Sequence, residues 1–219
     1  MKIRRIQYNI YYTHILTFKE DYKKLASPFF AYDNVQYAIE NAGTLNEGIR
    51  LIFNDFFSLI QFRKDGISIV CEGDFAQLSG NGEGIIHEFF SLYEHTSKLE
   101  CFGKTIKHEL IVRSVDIKEV IDISKYLPIN PVKEPLIDFA CVYHFNYKDY
   151  ETYVTTGNFV QTDITRYELS LFNTERNKDL KDAENGKMIE VKISSSETSP
   201  DISKFNLLAG SAEHWLKNF

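Results

Sequence analysis

Residues 49 to 71 read IRLIFNDFFSLIQFRKDGISIVC. Two apolar runs, Ile49 to Phe53 and Phe56 to Phe62, flank Asn54-Asp55, and a third, Ile67 to Cys71, follows Lys64-Asp65-Gly66. Asp-Gly between apolar runs is a strong hairpin signal, because glycine tolerates the positive φ that tight turns require. The stretch therefore predicts a three-stranded antiparallel meander.

Strand signals extend to both sides. Upstream, Ile6, Tyr8, Ile10, Tyr12, His14, Leu16 and Phe18 alternate with mostly polar residues, which predicts one long strand from Ile6 to Phe18. Lys19 to Ala26 reads as a short helix ended by Ser27-Pro28, and Val35 to Asn41 as another, stopped by Gly43. Downstream, the glycine-rich stretch 80 to 84 leads into a helix over Ile85 to Leu99, with Phe89, Phe90 and Tyr93 on the sheet side and His87 and His95 outward. Thr105 to Val115 is a strand and Asp116 to Tyr126 a short helix.

Pro128, Pro131 and Pro135 fall within eight residues, so a linker is placed at 127–135, between an N-terminal sheet-and-helix domain (1–126) and a C-terminal one (136–219), with packing of the two as one unit as the alternative. In the second, Leu136 to Tyr147 alternates, and Tyr147 to Val160 is ambiguous. Ile164 to Phe172 and Met188 to Ser194 read as a hairpin joined by the charged loop Asn173 to Lys187. The chain closes with a helix capped by Ser199, with Pro200 and Asp201 in its first turn and an apolar stripe from Ile202 to Phe219. The fold class is α+β: antiparallel sheets with helices packed on one face, arranged as two similar halves, ferredoxin-like or a related sandwich.

Composition fits this. The 219 residues are 43% hydrophobic and 26% charged, an ordinary globular balance, and 17 Phe and 13 Tyr against one Trp favour sheet. No apolar run reaches the 18 residues of a spanning helix, and Met1-Lys2-Ile3-Arg4-Arg5 does not lead into a signal-peptide core, so the expectation is a soluble, cytoplasmic protein without membrane contact. Cys71, Cys101 and Cys141 lie far apart with no C-x-x-C pair, as packed, reduced thiols would.

The net charge of −6 disfavours a general nucleic-acid binder. Residues 1 to 24, however, hold six basic against two acidic side chains, a local +4 that leaves −10 for the rest. Tyrosines overlap this region, and aromatics interleaved with basic residues stack single-stranded bases, which makes Arg5, Tyr11, Tyr22, Lys23 and Lys24 candidate nucleic-acid or ligand contacts.

Among chemistry-bearing residues, His14 and His108 stand in the apolar phase of their strands and are the alternative catalytic candidates, either one working with a carboxylate or tyrosine from another strand, since an inward imidazole is tunable for acid–base work. His87 and His95 are eight apart, where metal ligands on a helix are three or four apart, so no metal is assigned. The glycine stretch lacks the Lys-Ser/Thr of a P-loop. Asp116, Glu119 and Asp122 read as a charged surface, Gly-x-Ser-x-Gly is absent, and no cofactor is implied. The favoured reading is a non-catalytic binding or assembly protein acting through protein–protein contacts, with a protein partner or self-association. The alternatives are a hydrolase or nuclease using His14 or His108, and single-stranded RNA binding by the basic N-terminal strand.

Overall fold

A computed structural model describes residues 2–31, 35–54, 58–73, 84–119, 121, 138–160, 162–169, 171–172, 175–183 and 186–219. These residues form nine strands, β1 (Lys2–Tyr12), β2 (Val35–Glu40), β3 (Gly48–Phe53), β4 (Ser58–Arg63), β5 (Gly66–Glu72), β6 (Thr105–Asp116), β7 (Ala140–Tyr147), β8 (Tyr150–Phe159) and β9 (Gly186–Ser195). Five helices accompany them: α1 (Phe18–Ala26), α2 (Ile85–Ser97), α3 (Thr162–Arg166), α4 (Glu175–Asp182) and α5 (Ile202–Asn218). The fold is α+β, with an antiparallel sheet ordered β2-β3-β4-β5-β1-β6-β9-β8-β7. No helix among the described residues is long and apolar enough to cross a membrane.

Chain contacts divide the protein into two compact units, one of residues 1–5, 111–193 and 212–219, the other of residues 6–110 and 194–211. The proline-rich stretch 127–135, the expected helix beyond 121 and most of the glycine-rich stretch lie outside the described residues.

The larger unit contains the expected meander. Leu51 pairs with Ile60 and Ile60 with Ile69, so all three lie on one face, and all three are buried. The turn between β4 and β5 differs in its chemistry from the expectation. Arg63 pairs with Gly66, so Lys64 and Asp65 make the turn, and Gly66 does not have positive φ. Its glycine serves a close approach instead, because a Cβ there would stand 3.2 Å from the Ile10 carbonyl oxygen.

Ile6, Tyr8, Ile10 and Tyr12 of β1 are buried, but the strand ends at Tyr12. Thr13 donates its N–H to the Lys104 carbonyl at 2.8 Å and accepts the Lys104 N–H on its hydroxyl at 2.9 Å, and the chain then turns away into α1. Leu16, counted in the inward phase, is 95% exposed as a result. Phe90 of α2 and Phe205 of α5 meet the Tyr8 ring edge-on at 5.4 and 5.5 Å, and Phe29 meets Phe62 at 5.2 Å, which builds an aromatic core under the helices.

Val35 to Glu40 is a strand rather than the expected helix. It pairs antiparallel with β3, Val35 opposite Phe53 and Glu40 opposite Gly48. Asn41 (φ 50°) and Gly43 (φ 80°) belong to the connecting loop, where the Gly43 N–H donates to the Glu47 carboxylate at 2.6 Å and the Thr44 N–H to the Asn41 carbonyl.

In the other unit, β7 and β8 form a hairpin whose two-residue turn is Lys148-Asp149, both with positive φ (50° and 67°). That is type I′ geometry, which matches strand twist. The expected strand Ile164 to Phe172 does not form. Asp163 accepts the Val160 N–H on its carboxylate at 3.0 Å and starts α3, after which Leu169 and Phe172 are buried from an irregular segment. A core of Val115, Phe159, Leu169, Leu180 and Met188 results. The partners of β9 in the sheet are β6 and β8. Helix α5 begins one residue after Asp201, not Ser199: the Asp201 carboxylate accepts the Lys204 N–H at 2.9 Å and the Ser203 hydroxyl at 2.7 Å.

Candidate functional site

The two histidines have opposite environments. His14 lies past the end of β1, 63% exposed and 3.8 Å from the Asp65 carboxylate, so its expected inward orientation is not observed. His108 is fully buried on β6. The Tyr8 hydroxyl is 2.6 Å from its Nδ1, and Nε2 has no hydrogen-bond partner among the described residues. Burial holds its pKa below the usual imidazole value, against the opposing pull of the Glu197 and Asp201 carboxylates. A charged imidazolium there would be desolvated with its Nε2–H lacking an acceptor among the described residues, which favours the neutral ring. Burial also drives the Tyr8 phenol well above its ordinary range. The imidazole is thus sealed beside a phenol that does not ionise at neutral pH.

The five N-terminal contact candidates differ in exposure. Arg5 is 2% exposed, and its guanidinium donates to the carbonyls of Tyr167 and Glu168 and, at 3.0 Å, to the Glu168 carboxylate. It therefore satisfies carbonyls just past the end of α3 from a buried position. Tyr11 is half-buried and donates its hydroxyl to Glu109, a buried carboxylate that also accepts from the Asn9 side chain at 3.0 Å. Tyr22 is half-buried on α1 against Phe18, with ring centroids 6.2 Å apart. Lys23 and Lys24, on the same helix, are exposed.

A cleft of about 520 Å³ runs beside α2, lined by His87, Ser91, Glu94 and Ser97 on one wall, Thr198 to Ile202 on the other, and Phe90, Tyr93 and Thr105. Tyr93 and Thr105 bond each other at 2.8 Å, Glu94 is paired with Lys98 at 2.8 Å, and Asp201 is engaged in capping α5. His108 is not among its lining residues. Asp116 and Glu119 border a smaller cleft in which Glu119 is bonded by Lys187 at 3.3 Å. Among the described residues no three His, Cys, Asp or Glu side chains are placed to hold a metal ion. The three cysteines are free, and burial pushes the Cys71 thiol up to about 12.

The feature that sequence reasoning missed is the edge strand β2. Val35, Tyr37 and Ile39 stand opposite Phe53, Leu51 and Ile49, which are all buried in the aromatic core, so these three share the core-facing phase of the sheet. Yet Tyr37 is 64% exposed and Ile39 36%, and the ring packed on Tyr37, Phe30 at 5.7 Å, is itself exposed. Among the described residues, the apolar face thus continues beyond its helical cover onto the terminal strand of the sheet. Natural edges are usually guarded by lysine, proline or a bulge. β2 carries no Lys, Arg or Pro, and its one charged residue, Glu40, is paired with Arg50 at 2.5 Å and accepts from the Gln61 amide. The other terminal strand, β7, differs, because Phe145 and Tyr147 pack on Trp215 at 4.8 and 5.3 Å and Tyr143 on Phe219 at 5.0 Å.

Comparison of the chain with protein-family models, curated proteins and solved structures returned no match.

Proposed function

We propose that this is a non-catalytic assembly protein of the cytoplasm that acts through protein–protein contact, receiving an extended partner segment on the free edge of β2. The observation that carries the reading is the continuation of a core-phase apolar row, Val35, Tyr37 and Ile39, onto a terminal strand that is exposed at Tyr37 and Ile39 and carries no Lys, Arg or Pro. Strand addition at such an edge gains main-chain hydrogen bonds from the ladder and specificity from alternate side chains. The contact uses one edge only, so the two sheet-and-helix halves need not be copies of each other.

A display screen of random linear nonapeptides against the full chain tests this. Peptides of alternating apolar and polar residues are expected to enrich, to bind in the micromolar range and to lose at least about tenfold in affinity on Tyr37→Lys, a substitution at an exposed side chain. Enrichment of no such peptide, or binding indifferent to Tyr37→Lys, overturns the proposal.

A further inference from the structure

We infer that the segment seated on the β2 edge is β2 of a second copy of this chain, paired antiparallel about a two-fold axis through Tyr37; this rests on reading β2 as an association edge. The register follows from the backbone. In an antiparallel ladder, residues of one parity exchange hydrogen bonds with the inner neighbour and those of the other parity direct N–H and C=O outward. A two-fold pairing opposes residue k to residue k′, and outward groups meet only when both have the same parity. The axis must then pass through a residue that faces its own copy, never between two residues.

In the six residues Val35 to Glu40 this leaves Tyr37 or Ala38 as the central choices. With the axis at Tyr37, the core-phase row becomes Val35 against Ile39, Tyr37 against Tyr37 and Ile39 against Val35, and Gln36 opposes Ala38 on the other face. All five pairs are uncharged. With the axis at Ala38, Val35 would oppose Asn41, which at φ 50° has left the strand, and part of the apolar row is lost.

Self-complementarity of this kind is what an isologous contact requires. Charge points the same way. Two copies of a chain with net charge −6 repel in general, and a neutral edge whose sole carboxylate is matched by Arg50 and lies outside the five-residue overlap lets them meet. The Phe30 ring beside Tyr37 widens the apolar contact on each copy.

Sedimentation velocity on the full chain from about 1 to about 100 µM is the first test, with a dimer of micromolar dissociation constant expected and at least a tenfold weakening on Tyr37→Lys. Cysteine cross-linking reads the register. The opposed Cα atoms of an antiparallel pair lie about 4.5 to 5.5 Å apart, within disulfide range, so mild oxidation of Tyr37→Cys should give a dimer linked 37 to 37 on peptide mapping. Efficient linkage through Ala38→Cys and not Tyr37→Cys overturns the register. A chain that stays monomeric at about 100 µM, or a dimer indifferent to Tyr37→Lys, overturns the second copy as occupant. In either of those cases, nonapeptides that enrich and depend on Tyr37 would leave β2 as an edge for a different partner, whereas their absence removes both readings.

Discussion

The sealed imidazole of His108 makes a quantitative claim about acid stability. Its pKa in the folded protein lies below the ordinary value because it is buried, and the unfolded chain titrates near about 6.5. Below that pH the unfolded state binds a proton that the folded state refuses, so stability is fully present above about 6.5, falls as pH falls through it, and levels off once the folded-state pKa is passed. Between about pH 7.5 and about pH 5.5, about 1.4 kcal/mol is the ceiling on this loss, reached only by a site that binds no proton in the fold over that range. His108→Asn removes the titration and retains a side-chain oxygen for the Tyr8 hydroxyl. Urea unfolding of both proteins at the two pH values separates this term from every carboxylate they share. The variant is expected to start less stable at pH 7.5 and to lose less than wild type on acidification, by an amount that rises towards about 1.4 kcal/mol the further the folded-state pKa is lowered. Parallel losses would mean that His108 protonates freely in the fold. The sealed-core description would then be wrong, and acid–base chemistry at this residue would regain its claim.

Asp201→Ala strips α5 of its cap and is expected to cost about 1 kcal/mol in thermal or urea unfolding, with the difference shrinking at acid pH as the carboxylate, whose pKa the Lys204 N–H and Ser203 hydroxyl hold low, is protonated in wild type; an unchanged midpoint at neutral pH refutes the cap. Replacing Lys148-Asp149 by Asn-Gly relieves two left-handed residues of the β7–β8 turn and should raise stability by about 1 kcal/mol, measured as an upward shift in melting temperature, with a downward shift counting against a type I′ turn. Gly157→Ala would bring a Cβ to 2.3 Å from the Phe139 carbonyl oxygen, so a loss of about 2 kcal/mol or more is expected, and a neutral result would show that the 139–157 crossing is looser than described.

How far the sequence revealed this fold depended on whether a segment's partners lie close by in the chain. The 49–71 meander was legible because each strand pairs with its neighbour, and the burial of Leu51, Ile60 and Ile69 repeats the apolar alternation. The stripe of α5 was legible for the same reason, with the cap misplaced by two residues because Ser199 and Asp201 are both good caps and only the hydrogen bonds to Ser203 and Lys204 choose between them. By contrast, β8 was obscure because its turn is made by Lys148 and Asp149 rather than by Asn-Gly. Ile164 to Phe172 carries strand-like apolar residues, but a capping carboxylate at Asp163 and the distant Arg5 guanidinium, bonded to the carbonyls at 167 and 168, settle that segment as helix and turn. No local pattern announces a partner some 160 residues away.

The candidate site was hidden by the same physics in a sharper form. Val35 to Glu40 is six residues long, too short for period two and period 3.6 to separate, and Gln36, Ala38 and Glu40 are sound helix formers, so Asn41 and Gly43 looked like a helix stop when they are the turn of a hairpin. Even a correct strand assignment would have been insufficient. The significance of Tyr37 comes from three facts at once: that it shares a face with Leu51, that β2 is the last strand in the sheet order, and that among the described residues the ring packed on it, Phe30, is itself exposed. The inward histidines had the opposite fate. Phase alone placed both in the core, but strand phase has meaning only while the strand lasts. β1 ends at Tyr12, which turns His14 out to solvent, whereas β6 continues through His108 and encloses it. Local alternation therefore reports which face a side chain takes within a strand; where the strand stops, and whether anything covers that face, is decided by the rest of the chain. In this protein the core-phase row of β2, in phase with buried Leu51 and yet exposed at Tyr37, is where that distinction is plainest.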